Sequence, residues 1–64
     1  MPYINIRSAG ALSHEQKSEI AQEITSLMER VADKSPAATY IVFDDVPREN
    51  WAKSGQLLSE PPTA

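Results

Sequence analysis

Apolar and polar residues alternate at the start of the chain. Ile4 and Ile6 point to one face of an extended segment, and the polar Asn5 and Arg7 point to the other. This two-residue period is typical of a strand that is covered on one side only. The pattern therefore predicts a first strand over residues 3–8.

After residue 12 the spacing of the apolar residues changes from that of a strand to that of an α-helix. Ser13 and Gln16 fit a capping box, in which each side chain binds the backbone amide of the other residue. The following apolar positions are spaced by one, three and four residues, as on one face of an α-helix: Ile20, Ala21, Ile24, Leu27, Met28, Val31 and Ala32. The helix should end near residues 33–34, because the residue before Pro36 is disfavoured in the helical conformation.

A second strand and a short C-terminal segment follow. Residues 39–46 are rich in β-branched and aromatic side chains, which favours a strand that stops at Pro47. Residues 52–58 contain a glycine and are interpreted as a short strand or hairpin. Residues 59–64 are expected to form a frayed tail.

Strand, helix and strand in this order predict a β-α-β unit of the α+β class, with two parallel strands and a right-handed crossover. We expect one domain that covers residues 1–64. A two-stranded unit has open edges and an uncovered sheet face, so the sheet should be completed by copies of the same chain.

Length and composition strengthen the expectation of a homo-oligomer. A chain of 64 residues has little stability margin of its own and usually needs disulfides, a metal or partners. There is no cysteine and only one histidine, His14, so disulfides are excluded and a metal site is not expected. Self-association is therefore the expected source of the additional stability.

Charge and hydropathy narrow the class of partner. The net charge is −3 with six scattered cations, which disfavours a nucleic-acid surface. No apolar run approaches the ~20 residues of a membrane span. The first residues lack the pattern of a secretory signal, so we expect a cytoplasmic protein with no nucleic-acid or membrane partner.

Few side chains are candidates for chemistry. Asp44 and Asp45 are strand neighbours that point to opposite faces and cannot share a proton, so solvation or ion pairing is expected. Arg7 is interpreted either as an ion-pair partner of one of them or as a ligand for a substrate carboxylate. Arg48 lies on a turn and faces solvent or binds a carboxylate. His14, in the first helical turn, is expected to be exposed and neutral.

Two aromatic residues each allow two interpretations. Trp51 either fills a packing or interface position or forms the wall of a small-molecule pocket. Tyr40 either packs at the start of the second strand or directs its hydroxyl at a site.

Pro2 carries the sharpest hypothesis. Removal of Met1 would expose a secondary amine at the head of a strand. A free α-amine titrates near pH ~8, and burial lowers that pKa. A base near neutrality suits proton abstraction next to a carbonyl.

The chain resembles the 4-oxalocrotonate tautomerase family over residues 2–58. The resemblance rests on five segments in order: Met1 to Ile6, Glu15-Gln16-Lys17, Ser35-Pro36-Ala37, Ile41 to Val46, and Glu49-Asn50-Trp51. It implies a β-α-β subunit that dimerises, with dimers combined as a hexamer. It also implies that Pro2 is the general base and that no cofactor or metal takes part.

The chain departs from the family at two binding positions. Leu12 aligns with an arginine that binds a substrate carboxylate. A second arginine of the family aligns with Tyr40 without gaps, or with Ile41 after a shift of one residue. The resemblance keeps Trp51 as an aromatic wall and places Ser8 and Ala38 at the pocket. We therefore expect a less charged keto–enol substrate, such as an aryl pyruvate, in place of a dicarboxylate.

These observations and the resemblance predict a tautomerase that moves a proton in a keto–enol or unsaturated keto-acid substrate after Met1 has been removed. Pro2 would be the base, Tyr40 would donate to the enolate oxygen, and Arg7 or Arg48 would contact a carboxylate across a subunit boundary. A hexamer is expected rather than a dimer. The alternatives are a non-catalytic scaffold or binding module on the same fold, and a hydratase or dehalogenase.

Overall fold

The computed structural model describes residues 1–60, and its framework is a parallel pair of strands. β1 spans Tyr3–Ala9 and β2 spans Tyr40–Val46. The pair runs in register from Tyr3 opposite Tyr40 to Ala9 opposite Val46. With the helix between the strands, this confirms the predicted β-α-β arrangement.

Helix α1 spans His14–Ala32, and both of its ends are capped. The Ser13 hydroxyl accepts the Gln16 amide at 3.1 Å, and the Gln16 side chain accepts the Ser13 amide at 2.9 Å. Asp33 ends the helix in the left-handed conformation, with φ at 56°, and its amide donates to the Glu29 carbonyl. The predicted capping box is confirmed.

The two faces of the sheet differ in what covers them. The helix-covered face consists of half-buried side chains that point toward α1: Ile4, Ile6, Ile41 and Phe43. The open face carries side chains of the opposite parity: Tyr3, Asn5, Arg7, Tyr40, Val42 and Asp44. Tyr3 and Tyr40 on the open face are 62% and 54% exposed.

The predicted apolar stripe of α1 is only partly covered. Ile20, Ile24 and Met28, spaced by four residues, are half-buried. Leu27 and Val31 are 45% and 69% exposed. Because a sheet of two strands is narrow, it covers the central row of the stripe and leaves the flanking positions uncovered.

The single chain lacks a closed core. None of the side chains of residues 1–60 is fully buried. The radius of gyration is 15.5 Å, against about 11 Å for a compact chain of this length. The chain therefore presents apolar surface that it cannot cover by itself. Within residues 1–60, no helix has the length and apolar character to cross a membrane.

A turn and a hairpin follow β2. Arg48–Asn50 forms one turn of 3-10 helix, and β3 (Ala52–Lys53) pairs antiparallel with β4 (Gln56–Leu57). Ser54 and Gly55 both have positive φ, 54° and 78°, which is the signature of a two-residue type I′ turn. The hairpin interpretation of this region is confirmed.

The predicted frayed tail falls mostly outside this description. At its start, the Glu60 amide donates to the Leu57 carbonyl at 3.1 Å. Residues 61–64 lie outside the described residues.

Candidate active site

Pro2 lies half-buried at the head of β1. Its carbonyl accepts the Tyr40 amide at 3.0 Å, which fixes it beside the first residue of β2. The preceding 3-10 turn, Pro36–Ala38, is capped by Ser35, and the Thr39 hydroxyl donates to the Ser35 carbonyl at 2.9 Å. These contacts define the position of Pro2 relative to the second strand.

Tyr40 presents its side chain on the open face. It stands opposite Tyr3 in the register. Its hydroxyl has no hydrogen-bond partner among residues 1–60. The phenol is therefore available to a ligand or to another chain.

Ser8 and Leu12 lie at the other end of the sheet, and both are half-buried. The Ser8 hydroxyl donates to the Gly10 carbonyl at 3.2 Å. The Gly10 amide donates to the Val46 carbonyl at 2.8 Å, with φ of Gly10 at +95°. This turn holds the loop of Leu12 at the carboxyl end of β2.

The predicted site residues consequently fall into two groups. Six residue steps separate the two ends of β1, which at 3.3 Å per residue is about 20 Å. Pro2 and Tyr40 lie at the amino end of the strands. The other group lies at or beyond the carboxyl end: Ser8, Leu12, Arg48 and Trp51. One chain does not bring these two groups together.

Arg7 is engaged within the chain. The Asp44 carboxylate accepts Asn5 at 3.1 Å and Arg7 at 3.2 Å on the open face. The hydrogen bonds from Asn5 and then from Arg7 hold the pKa of Asp44 below its ordinary value. Asp45 pairs instead with Lys17 of α1, at 2.5 Å.

The two aspartates thus point to opposite faces and form separate ion pairs, as predicted. Asn5 is a partner that the sequence analysis missed. The only available signal was its place two residues before Arg7 on the same strand face. A carboxylate-binding role for Arg7 stays a prediction, and the Asp44 carboxylate would compete with a substrate carboxylate for its guanidinium.

Trp51 is half-buried, with its indole nitrogen covered and without a hydrogen-bond partner among residues 1–60. Its amide donates to the Arg48 carbonyl at 3.2 Å, and its carbonyl accepts the Leu58 amide at 2.9 Å. Trp51 therefore ties the 3-10 turn to the hairpin. Its role as a pocket wall stays a prediction.

Arg48 lines a cavity of about 370 Å³ between the 3-10 turn and the hairpin. One guanidinium nitrogen donates to the Leu58 carbonyl at 3.3 Å. Lys53 and Ser54 line the same cavity. Neither was singled out by the sequence analysis, because the cavity forms only where the hairpin folds against the 3-10 turn.

A second cavity, of about 400 Å³, lies along the helix near Pro36 and is lined by no predicted site residue. Within residues 1–60, no group of three or more histidine, cysteine or acidic side chains is arranged to hold a metal ion.

A family model described as tautomerase enzyme matches residues 2–60 of the chain. The chain belongs to the tautomerase family. A probable tautomerase from Dickeya dadantii is 33% identical over 61 residues, covering 94% of this chain and 91% of its own. A probable tautomerase from Helicobacter pylori is 30% identical, covering 91% of this chain and 90% of its own.

Solved structures of tautomerases have the same fold. The crystal structure of DmpI from Helicobacter pylori is 27% identical and superposes with a TM-score of 0.81, covering 89% of this chain and 90% of its own. A heterohexamer 4-oxalocrotonate tautomerase from Chloroflexus aurantiacus is 25% identical with a TM-score of 0.83, covering 94% of this chain and 97% of its own. Membership of this family supports a tautomerase-type function.

Proposed function

We propose that this chain is a cofactor-independent tautomerase whose general base is Pro2, exposed by removal of Met1. The observation that carries the proposal is the placement of Pro2. It is half-buried at the head of β1, with its carbonyl bound to the Tyr40 amide, in a chain that matches the tautomerase family from residue 2 onward.

The chemistry requires a free secondary amine. While Met1 is attached, the Pro2 nitrogen belongs to an amide and is not basic. Once freed, the amine would titrate below the ~8 of an exposed α-amine, because partial burial favours its neutral form. Such an amine is unprotonated near neutral pH and can therefore accept a proton from the substrate.

The proposed step moves one proton and leaves no net change in charge. The Pro2 amine removes a proton from the carbon next to the ketone, so a C–H bond breaks and an N–H bond forms. The electron pair moves to the ketone oxygen as an enolate, and the ammonium returns its proton to that oxygen to give the enol. The free hydroxyl of Tyr40 would donate to the enolate as it forms.

The substrate is proposed to be a keto acid with one carboxylate, such as an aryl pyruvate. Leu12 and Tyr40 occupy the positions at which the resemblance would place two arginines. A dianion without paired cations would be costly to desolvate. An aromatic ring is better matched to Leu12, Tyr40 and Trp51.

A working site is proposed to form between chains. The two groups of candidate residues lie about 20 Å apart along the strands, and the open face and the helix flank carry exposed apolar side chains. Both observations favour a homo-oligomer in which the amino end of one subunit meets the carboxyl end of another. The Chloroflexus relative is a heterohexamer, which supports a hexamer rather than a dimer.

The test is an assay of phenylpyruvate tautomerisation with two preparations, checked by mass, that differ only in Met1. The processed protein should turn over the substrate at a rate that rises with pH. The midpoint of this pH–rate curve should lie below pH ~8, the value for an exposed α-amine. The protein that retains Met1 should keep its oligomer and lose nearly all activity. Equal turnover by both would exclude Pro2 as the base, and no turnover by either would favour a non-catalytic binding module.

A further inference from the structure

The cations of this chain differ in whether they are paired. The chain has six lysines and arginines. Arg7 and Lys17 are paired with Asp44 and Asp45. The other four have no carboxylate within ion-pair distance among residues 1–60, although the chain carries an excess of acids: Arg30, Lys34, Arg48 and Lys53.

Two of these four unpaired cations, Arg48 and Lys53, share one cavity. The side chains that line the cavity between the 3-10 turn and the hairpin include two cations and one acid: Arg48, Lys53, Ser54, Leu57 and Glu60. Its volume of about 370 Å³ lies within the range of small-molecule sites. Two cations and one acid give the cavity a net charge of +1, the opposite sign to the chain.

Arg48 is held in place with most of its donors free. One of its terminal nitrogens donates to the Leu58 carbonyl at 3.3 Å. A guanidinium has five N–H donors in a planar fork, so the remaining donors can bind a carboxylate. The Ser54 hydroxyl adds a neutral donor, and the Leu57 side chain, 39% exposed, adds an apolar wall.

We infer that the cavity lined by Arg48 and Lys53 is the subsite for the substrate carboxylate, an inference that rests on the proposed function. Its net charge matches one carboxylate and not two. It lies at the carboxyl end of the strands, beyond reach of Pro2 in the same chain. It would therefore hold a keto acid for the Pro2 of a neighbouring subunit.

A carboxylate at this position could have a second source. An acidic side chain of a neighbouring copy would satisfy the same cations, because the chain has nine aspartates and glutamates. The two sources differ in their consequences. A substrate subsite changes KM for acids alone, whereas an intersubunit ion pair changes the oligomeric state.

The experiment compares phenylpyruvate with its methyl ester, which lacks the charge. Arg48→Gln should raise KM for phenylpyruvate about 10- to 100-fold, the scale of one hydrogen bond to a charged group. Lys53→Gln should raise it less, because a flexible ammonium binds less specifically than a guanidinium. The ester should be unaffected by either substitution.

Arg30→Gln is the matched control. It removes one positive charge in the last turn of α1, at a position that does not line the cavity. Arg48→Lys should restore part of the affinity for phenylpyruvate. Circular dichroism and sedimentation must show that each variant keeps its fold and oligomeric state. Loss of the oligomer in Arg48→Gln would overturn the inference in favour of an intersubunit ion pair. Equal losses with acid and ester, or no loss with either, would also overturn it.

Binding of phenylacetate, followed by amide chemical shifts of Lys53, Ser54 and Gly55, separates this inference from the proposed function. Shifts in the wild type that disappear in Arg48→Gln support the subsite even if neither substrate is turned over, an outcome that would defeat the tautomerase proposal. Turnover of phenylpyruvate with no shifts at these amides would leave the tautomerase in place and overturn the subsite.

Discussion

The two ends of the parallel strands carry different chemistry. The amino end holds Pro2 and the free hydroxyl of Tyr40, with hydrogen bonds that fix the backbone. The carboxyl end holds Leu12, the half-buried Trp51 and the unpaired Arg48. In the proposed function, the first accepts a proton and the second binds an anion with an apolar body. Each subunit would then hold two complementary halves of a site that lie about 20 Å apart.

Parallel pairing is the reason for this separation. In a β-α-β unit both strands start at the same end, so Pro2 and Tyr40 become neighbours. The loops that follow the strands collect at the opposite end. A second copy that brought its carboxyl end to the first copy's amino end would complete the proposed site and would cover exposed apolar surface at the same time.

The largest expected effect comes from disrupting the packing of α1 against the sheet, which supports both ends of the strands. Ile24 is half-buried in the row of α1 that faces the sheet. Ile24→Asp places an unpaired carboxylate there, which costs several kcal/mol in a chain with a small margin. We expect loss of the helical circular-dichroism signal and of the oligomer together.

Ser26→Asp adds the same charge at an exposed position of the same helix. It should fold and assemble like the wild type. If Ile24→Asp folds and forms the same oligomer as the wild type, the contacts between α1 and the sheet are not what stabilises the subunit.

The smallest expected effect concerns the ion-pair cluster on the open face. The folded-state pKa of Asp44 is lowered by Asn5 and Arg7. The carboxylate therefore stabilises the fold above its unfolded-state pKa, and this contribution is lost as the pH falls through the lower folded-state value. Asp44→Asn should slightly reduce stability at pH 7 and weaken the loss of stability below about pH 4.

Thermal unfolding from pH 2 to 7 measures this difference. Glu19→Gln, at an exposed position of α1, removes a carboxylate outside the cluster and serves as the control. If Asp44→Asn and Glu19→Gln follow the same pH profile, the cluster contributes nothing measurable, and Arg7 becomes available as a second anion ligand.

Local patterns predicted the elements of the fold. The alternation around Ile4 and Ile6 and the capping box at Ser13 are contained within a few residues, so the sequence displays them directly. The exposure of Leu27 and Val31 was not predictable in this way. It depends on the width of the sheet beneath α1, which is a property of the assembled structure.

The candidate site was predicted only in part. Pro2 is identified by its place in the sequence and by the family resemblance. The pairing of Arg7 with Asp44 depends on the strand register, and the cavity shared by Arg48 and Lys53 depends on how the hairpin folds against the 3-10 turn. The spacing of apolar and polar residues along the chain predicts neither feature, because both depend on contacts between different segments.

The claim that the site forms between subunits can be tested most directly by mixing two impaired proteins. One retains Met1 and lacks the base, and the other carries Arg48→Gln with Lys53→Gln and lacks the anion subsite. After dissociation and reassembly at equal ratio, random association gives about a quarter of the sites both intact halves. We expect turnover of phenylpyruvate, measured well below its KM, to recover to about that fraction of the wild-type value. Activity equal to the average of the two separate proteins would contradict it and would place the whole site within one chain.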